Sequence, residues 1–270
     1  IEKLASGETS YKVDVNDFSS LEAELAEGLN RISDGLETAL AEQVKSERLK
    51  ADLITNVSHD IKTPLTSIIN YVDLIKRQHI EDPTVQKYLE VLDQKSQRLK
   101  TLTEDLVEAS RASSGNIKLE ITNIDFVELV QQTTGEFEEK YAIRHLEIVN
   151  TLPNEVIMIE ADGRRLWRVL ENLYNNAFKY ALEGTRVYVT IEDHGADVVF
   201  TIKNVSANPL NISPDELTER FVRGDVSRTT EGSGLGLSIA KDLTTLQGGK
   251  FELIIDGDLF KAQITFPIKN

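Results

Sequence analysis

Between Leu25 and Ile75 apolar residues recur at steps of three and four, through Leu29, Ile32, Leu36, Leu40 and Val44, then Ala51, Ile54, Val57, Ile61, Leu65, Ile68 and Val72. A stripe so long and so narrow leaves few choices: the segment has to be helical, and other helices have to close its seam. Two successive steps of four at Leu36, Leu40 and Val44 read as a stutter, where a coiled-coil register can shift. The first twenty residues hold turn formers, and Ser19-Ser20 followed by Leu21, Glu22, Ala23 and Glu24 offers the helix start. "QHIEDPT" ends the helix, and Asp82-Pro83 opens a second one with the seam Val85, Tyr88, Leu92, Leu99, Leu102, Leu106 and Ala109. Two such helices joined by a short turn make a hairpin, and two copies close a four-helix bundle, so a homodimer is expected.

The pattern changes after "SSGN", Ser113 to Asn116, which reads as a linker. Short β-like runs then alternate with helices: "IKLEIT", a helix from Asp125 to about Lys140, "LEIV", "VIMIE", a helix from Arg164 to about Leu182, "RVYVTIE", "DVVFTIK", and a helix from about Leu237 to Gln247. "KFELIID" and "KAQITFP" close the chain as a hairpin. Because the last strands are joined by turns and not by crossover helices, a mixed sheet with helices on one face is expected. The expected class is α+β: a helical hairpin forming a dimeric bundle, then an α/β sandwich. The boundaries are 1–43 for a leading coiled coil, 44–113 for the hairpin and 117–270 for the sandwich.

A net charge of −15 excludes a general nucleic-acid or anionic-membrane surface, and an anionic ligand would need a local pocket of positive charge. With no cysteine, disulfides, thiolate chemistry and Cys-ligated metals are excluded together, and a cytoplasmic setting is expected. No run of roughly 18 apolar residues occurs, so the chain itself is expected to be soluble. It opens on Ile1 and is expected to be a piece of a longer protein.

Chemistry concentrates in three places. In "NVSHDIKTPLTSII" His59 lies two residues from the seam positions Val57 and Ile61 and points outward, with Thr63 one turn on along the same face. Pro64 removes a helical hydrogen bond just beyond, where a bend is expected. An exposed neutral imidazole is a nucleophile at neutral pH, and Asp60 can orient it or take its proton, although neighbours in sequence do not face each other on a helix. "EGSGLGLSIAKDL" sets Gly232, Gly234 and Gly236 before a helix, an arrangement that suits phosphate. A P-loop would need Gly-Lys-Ser/Thr where Gly236-Leu237 stands, and the dinucleotide fingerprint would need a glycine at Leu237. On "RRLWRVLENLYNNAFKYAL", Asn172, Asn176 and Lys179 align beside the apolar stripe; amide oxygens ligate Mg²⁺ and the ammonium serves phosphate, with Asn175 a competitor for the metal.

Taken together these residues resemble the dimeric sensor histidine kinases of two-component signalling. "SHDIKTPL" resembles that family's phosphoacceptor box, "NLYNNAFKY" its asparagine box, "ERFVRGD" its phenylalanine box and "GSGLGL" its second glycine box, over residues 44–270. The segment before about Leu40 is similar to the second half of a HAMP signal relay, which implies a membrane anchor outside this chain. The resemblance implies that His59 attacks the γ-phosphate of ATP, with Asp60 as base or orienting partner and Thr63 positioning water for dephosphorylation. It implies Mg²⁺ on Asn176, with Asn172, Lys179 and Tyr180 on the nucleotide and its phosphates. It places Phe221, Arg223 and Arg228 in a mobile lid, and Gly232, Gly234, Leu235, Gly236 and Leu237 around the nucleotide. The implied partner is a response-regulator receiver domain.

One box departs from the family pattern. Where an Asp-x-Gly-x-Gly normally reads adenine, "NVSANP" puts Asn204, Ser206 and Asn208. Asn204 still offers an oxygen to the adenine amine, but without charge, and weaker or more selective base binding is expected. The rival readings are a protein that mainly dephosphorylates its partner and a non-catalytic adaptor. His79, His145 and His194 are expected to be surface or satisfied residues.

Overall fold

The computed structural model describes residues 12–14, 20–78, 80–115, 117–222 and 233–269. It divides into two compact units, residues 1–56 and 57–270.

Helix α1 (Ser20–Lys76) carries the long stripe, and helix α2 (Pro83–Ser113) follows. In the first unit an extended piece at residues 12–14 is held against α1: the Val13 N–H donates to Asn30 Oδ1 at 2.8 Å and Asn30 Nδ2 donates to the Val13 carbonyl at 2.9 Å. Leu25, Ile32, Leu36, Leu40 and Val44 stay exposed in the single chain. In the second unit α1 and α2 form the expected hairpin, bridged by Lys76–Asp93 at 2.7 Å and Lys62–Glu104 at 3.7 Å. Asp82 caps α2, accepting from the Thr84 and Val85 N–H groups, with Pro83 in the first turn where its missing donor is harmless. Leu65 and Val72 of the α1 seam are buried, whereas Val57, Ile61, Ile68 and Ile75 are exposed, as are Tyr88, Leu92 and Leu99 of α2. Pro64 does not end the helix, which runs on to Lys76 while the Thr63 and Thr66 hydroxyls bond back to the His59 and Lys62 carbonyls. His79 lies outside the described residues.

The sandwich follows in the order β1 (Thr122–Asp125), α3 (Phe126–Ala142), β2 (Glu147–Thr151), β3 (Met158–Ala161), α4 (Gly163–Tyr180), β4 (Arg186–Asp193), β5 (Asp197–Val205), the short α5 (Pro214–Leu217), α6 (Gly236–Leu246), β6 (Lys250–Asp256) and β7 (Leu259–Pro267). Five strands form a mixed sheet in the order β2-β4-β5-β7-β6, with β2 and β4 parallel and the other pairs antiparallel. Burial alternates along β5 and β7, so one face carries the core and the other meets solvent. Phe126, Tyr141, Tyr174, Phe200 and Phe266 centre that core, and Thr134 and the Tyr174 hydroxyl share a 2.6 Å hydrogen bond within it.

Three expectations are corrected. "IKLEIT" is not a strand: the ladder begins at Thr122 and pairs β1 with β3 in a separate two-stranded sheet. Before it, the Glu120 N–H is taken by Asp162 Oδ2 at 3.0 Å, a side-chain acceptor in place of a strand partner. Helix α4 stops at Tyr180, short of Leu182, because Ala181 bridges to Ser206 and Arg144 donates to the terminal carbonyls of Phe178, Lys179 and Ala181. The hairpin also enters the sandwich more deeply than a linker at residues 113–116 suggests, since Ala109 and Ala112 of α2 belong to its core.

Candidate functional site

A cavity of about 360 Å³ opens among α4, the end of β5, the start of α6 and helix α2, large enough for a small-molecule ligand. Helix α4 starts at the Asp162 cap and buries Leu166, Val169, Leu170, Leu173 and Ala177. Its adjoining stripe presents Asn172, Asn175, Asn176 and Lys179 to the cavity, and Tyr180 closes the same wall. From β5 comes Asn204, only 2% exposed, whose Nδ2 donates to the Val205 carbonyl at 3.2 Å while its Oδ1 has no hydrogen-bond partner. Asn172 Nδ2 is likewise buried without a partner. Orphaned polar atoms on a cavity wall carry a desolvation cost that a ligand removes.

The glycine side leaves no room for side chains. Gly234 has φ +70°, and a Cβ there would stand 3.0 Å from the Phe221 carbonyl carbon and the Val222 oxygen. A Cβ on Gly236 would meet Asn172 Oδ1 at 3.3 Å. Helix α6 begins with no side-chain cap at Leu235, which keeps its first N–H groups available for an anion.

Of the sequence-predicted residues, Asn172, Asn176, Lys179, Tyr180, Asn204, Gly234, Gly236 and Leu237 line this cavity. Leu235 does not: at 1% exposure its side chain belongs to the core, and its role is to start α6. Phe221 does not either; it is exposed with φ +64°, and its N–H donates to the Gly234 carbonyl at 3.0 Å. Arg223, Arg228 and Gly232 lie outside the described residues. His59, Asp60 and Thr63 are not on the cavity wall. The His59 side chain is 81% exposed, with Nδ1 3.8 Å from Asp60 Oδ1, near the neighbouring carboxylate but beyond hydrogen-bond distance. His145 and His194 are exposed, as expected, with His194 3.5 Å from Glu192.

Apart from Lys179, sequence reasoning missed the charged residues of the cavity. Lys140, from the end of α3, donates to Asn175 Oδ1 at 2.6 Å, which occupies the oxygen proposed to compete for metal. Arg168 pairs with Asp105 and Glu108 of α2 and with Glu171 of its own helix, while the Ser233 hydroxyl donates to Asp105 Oδ2 at 3.0 Å. Arg165 adds a 2.9 Å bond to Glu108. Burial pushes the Asp105 carboxyl up, and the opposing pull of Arg168 and the Ser233 bond does not cancel it. Burial alone would lower Arg168, but its bonds to Glu171 and Glu108 more than reverse that. Arg168 and Glu171 share the helical spacing of the asparagine strip and were within reach of the sequence; Asp105 and Lys140 come from distant elements, and no local pattern marks them.

Residues 49–115 match the His Kinase A (phospho-acceptor) domain family, and residues 161–269 match the family of histidine kinase-, DNA gyrase B- and HSP90-like ATPases. The chain belongs to the sensor histidine kinases. It is 29% identical over 257 residues to sensor histidine kinase MtrB of Mycobacterium tuberculosis, covering 93% of this chain and 44% of MtrB. The crystal structure of full-length ShkA in complex with AMPPNP superposes with a TM-score of 0.69 at 23% identity, over 81% of this chain and 46% of that one. Histidine kinase ThkA, in complex with response regulator protein TrrA, gives a TM-score of 0.55 at 24% identity over 86% of this chain and 67% of ThkA. Both likenesses are of fold. This sensor histidine kinase chain thus spans less than half the length of MtrB, and among its described residues no helix is long and apolar enough to cross a membrane.

Proposed function

We propose that this chain is the catalytic portion of a two-component sensor: a homodimeric, ATP-dependent protein-histidine kinase that phosphorylates itself on His59. The phosphoryl group then passes to an aspartate on a response-regulator receiver domain. The observation that carries the reading is the pair of orphaned amide atoms, Asn204 Oδ1 and Asn172 Nδ2, on a cavity whose glycine side excludes side chains. In this assignment Asn204 Oδ1 accepts from the adenine amine, and the phosphates lie toward Lys179 and the start of α6. Asn172 and Asn176 offer neutral oxygens suited to Mg²⁺, which when bound neutralises charge on the phosphate oxygens.

Nδ1 is the ring nitrogen nearer Asp60, at 3.8 Å, and in this assignment Nε2 of His59 attacks. The nitrogen–phosphorus bond forms as the bond from the γ-phosphorus to the bridging oxygen breaks, ADP leaves with that electron pair, and the imidazole proton passes to Asp60 or solvent. In the second step a receiver carboxylate oxygen takes the phosphoryl group and the imidazole nitrogen regains a proton. Because His59 is not on the cavity wall, the first step requires the nucleotide domain and a His59, of the same or the second copy, to approach each other.

Residues 1–43 are assigned as the end of a signal relay, 44–113 as the phosphotransfer hairpin and 117–270 as the nucleotide domain, with a membrane tether in the longer protein. With γ-labelled ATP and Mg²⁺ the expected product is an acid-labile, base-stable label that His59→Gln abolishes; label surviving that change sinks the assignment. Dephosphorylation of the regulator is a second activity. It is favoured by Thr63, one turn beyond His59 on the exposed face, whose hydroxyl donates a long 3.4 Å bond to the His59 carbonyl. Thr63→Ala is expected to leave autophosphorylation within about threefold (roughly 0.65 kcal/mol) and to slow regulator dephosphorylation at least tenfold, read by loss of label from the phosphorylated regulator.

A further inference from the structure

An acidic chain that binds a nucleoside triphosphate needs cations at the phosphate end of its pocket. Among the described residues the cavity is lined by three: Lys140, Arg168 and Lys179. Arg168 is already paired with Asp105, Glu108 and Glu171, so its charge is compensated within the protein. Lys140 stands differently. Its polar partner is the neutral Asn175 Oδ1, 2.6 Å away, and its ammonium lies over the rings of Phe137 and Phe178 at 5.1 and 4.9 Å. Among the described residues no carboxylate is within ion-pair distance of it, although Glu171 is near enough to attract it and partly oppose the lowering that burial causes. An ammonium drawn into a half-buried setting with a neutral partner and two ring faces is held in place without being neutralised. It has three N–H donors and uses one on Asn175. Lys140 also falls between the two family matches, residues 49–115 and 161–269, so neither match assigns it a role.

We infer that Lys140 is a further nucleotide-binding residue, one that contacts the polyphosphate of the bound nucleoside triphosphate and supplies charge that Arg168 does not. The two ring faces fix the ammonium above the flank of α4, and the Asn175 bond sets its direction along the asparagine strip. The inference rests on the ATP-binding reading above.

The test compares wild type, Lys140→Met, which keeps the length of the side chain and its packing on the rings, and Lys140→Arg, which restores the charge. Binding of ATP and ADP is followed by calorimetry in the presence of Mg²⁺, and binding of adenosine by saturation-transfer NMR at millimolar concentration. Lys140→Met is expected to weaken ATP and ADP about tenfold or more, to leave adenosine within about twofold, and to be largely restored by Lys140→Arg. Equal ATP affinity in wild type and Lys140→Met overturns the inference while leaving the kinase reading intact. So does an equal loss for adenosine and ATP, which marks Lys140 as a brace for the cavity and not a phosphate ligand. Wild-type protein that binds none of the three overturns the nucleotide reading itself, and this inference with it.

Discussion

Asn204 stands in the core end of the cavity with one amide atom used and the other idle. The idle oxygen is a poor element of a free protein and a good one of a complex: in the proposed reading the adenine amine would turn a buried unpaired acceptor into a hydrogen bond. Asn204→Ala is therefore expected to weaken ATP binding about tenfold, or about 1.4 kcal/mol. The ligand-free protein should melt within a few degrees of wild type, since one unsatisfied atom and one long hydrogen bond are lost together; calorimetry and thermal melts read the two effects separately. This residue was legible in the sequence as a departure in a recognised box, and the asparagine strip of α4 was legible as a helical spacing. That the Leu235 side chain turns into the core was not legible, because a Gly-Leu-Gly run does not say which of its side chains face inward. Lys140 was invisible because its approach to Asn175 is created by the packing of α3 on α4, some thirty-five residues apart in sequence.

At the scale of elements, the informative one is α2. Its first half was readable from its periodicity alone, and Tyr88, Leu92 and Leu99 remain exposed as a seam awaiting helices should. Its second half departs from that pattern: Ala109 and Ala112 enter the sandwich core, and Asp105 and Glu108 bind Arg168. A seam read as if it faced one partner along its whole length could not reveal that the far end changes partners. The docking has a signature in pH. Burial raises the Asp105 carboxyl in the folded protein, so the native state holds the proton more tightly than the unfolded chain does. Stability at this site is thus lowest where the group is ionised and rises as pH falls from neutrality toward the ordinary carboxylate range. A carboxylate whose ion pair dominated its burial would behave in the opposite sense. Measured against Asp105→Asn, which removes the titration, wild type is expected to gain stability over that interval in denaturant unfolding; a relative loss on acidification would mean that the Arg168 pair, and not burial, governs Asp105.

For the whole molecule, the exposed seam and the distant histidine belong together. The apolar residues left open along Val57, Ile61, Ile68, Tyr88, Leu92 and Leu99 are those a second hairpin would cover. Burying one leucine contributes about 1.5–3 kcal/mol, and a charge in its place adds a desolvation cost. Leu99→Asp is expected to weaken self-association at least about a hundredfold, roughly 2.7 kcal/mol, read by sedimentation velocity; an unchanged dimer removes this face from the interface. The mixed sheet with helices on one face was legible because hairpin-linked strands rule out an all-parallel arrangement. The small β1–β3 sheet was not, because Asp162 diverts the chain just before it.

Asp105 has one foot in a hairpin helix and the other in the wall of the cavity. Its carboxylate holds Arg168 of α4 and takes the Ser233 hydroxyl at once, so the hairpin helix and two flanks of the cavity are fastened through a single side chain. A tug on the hairpin is therefore a tug on the cavity wall.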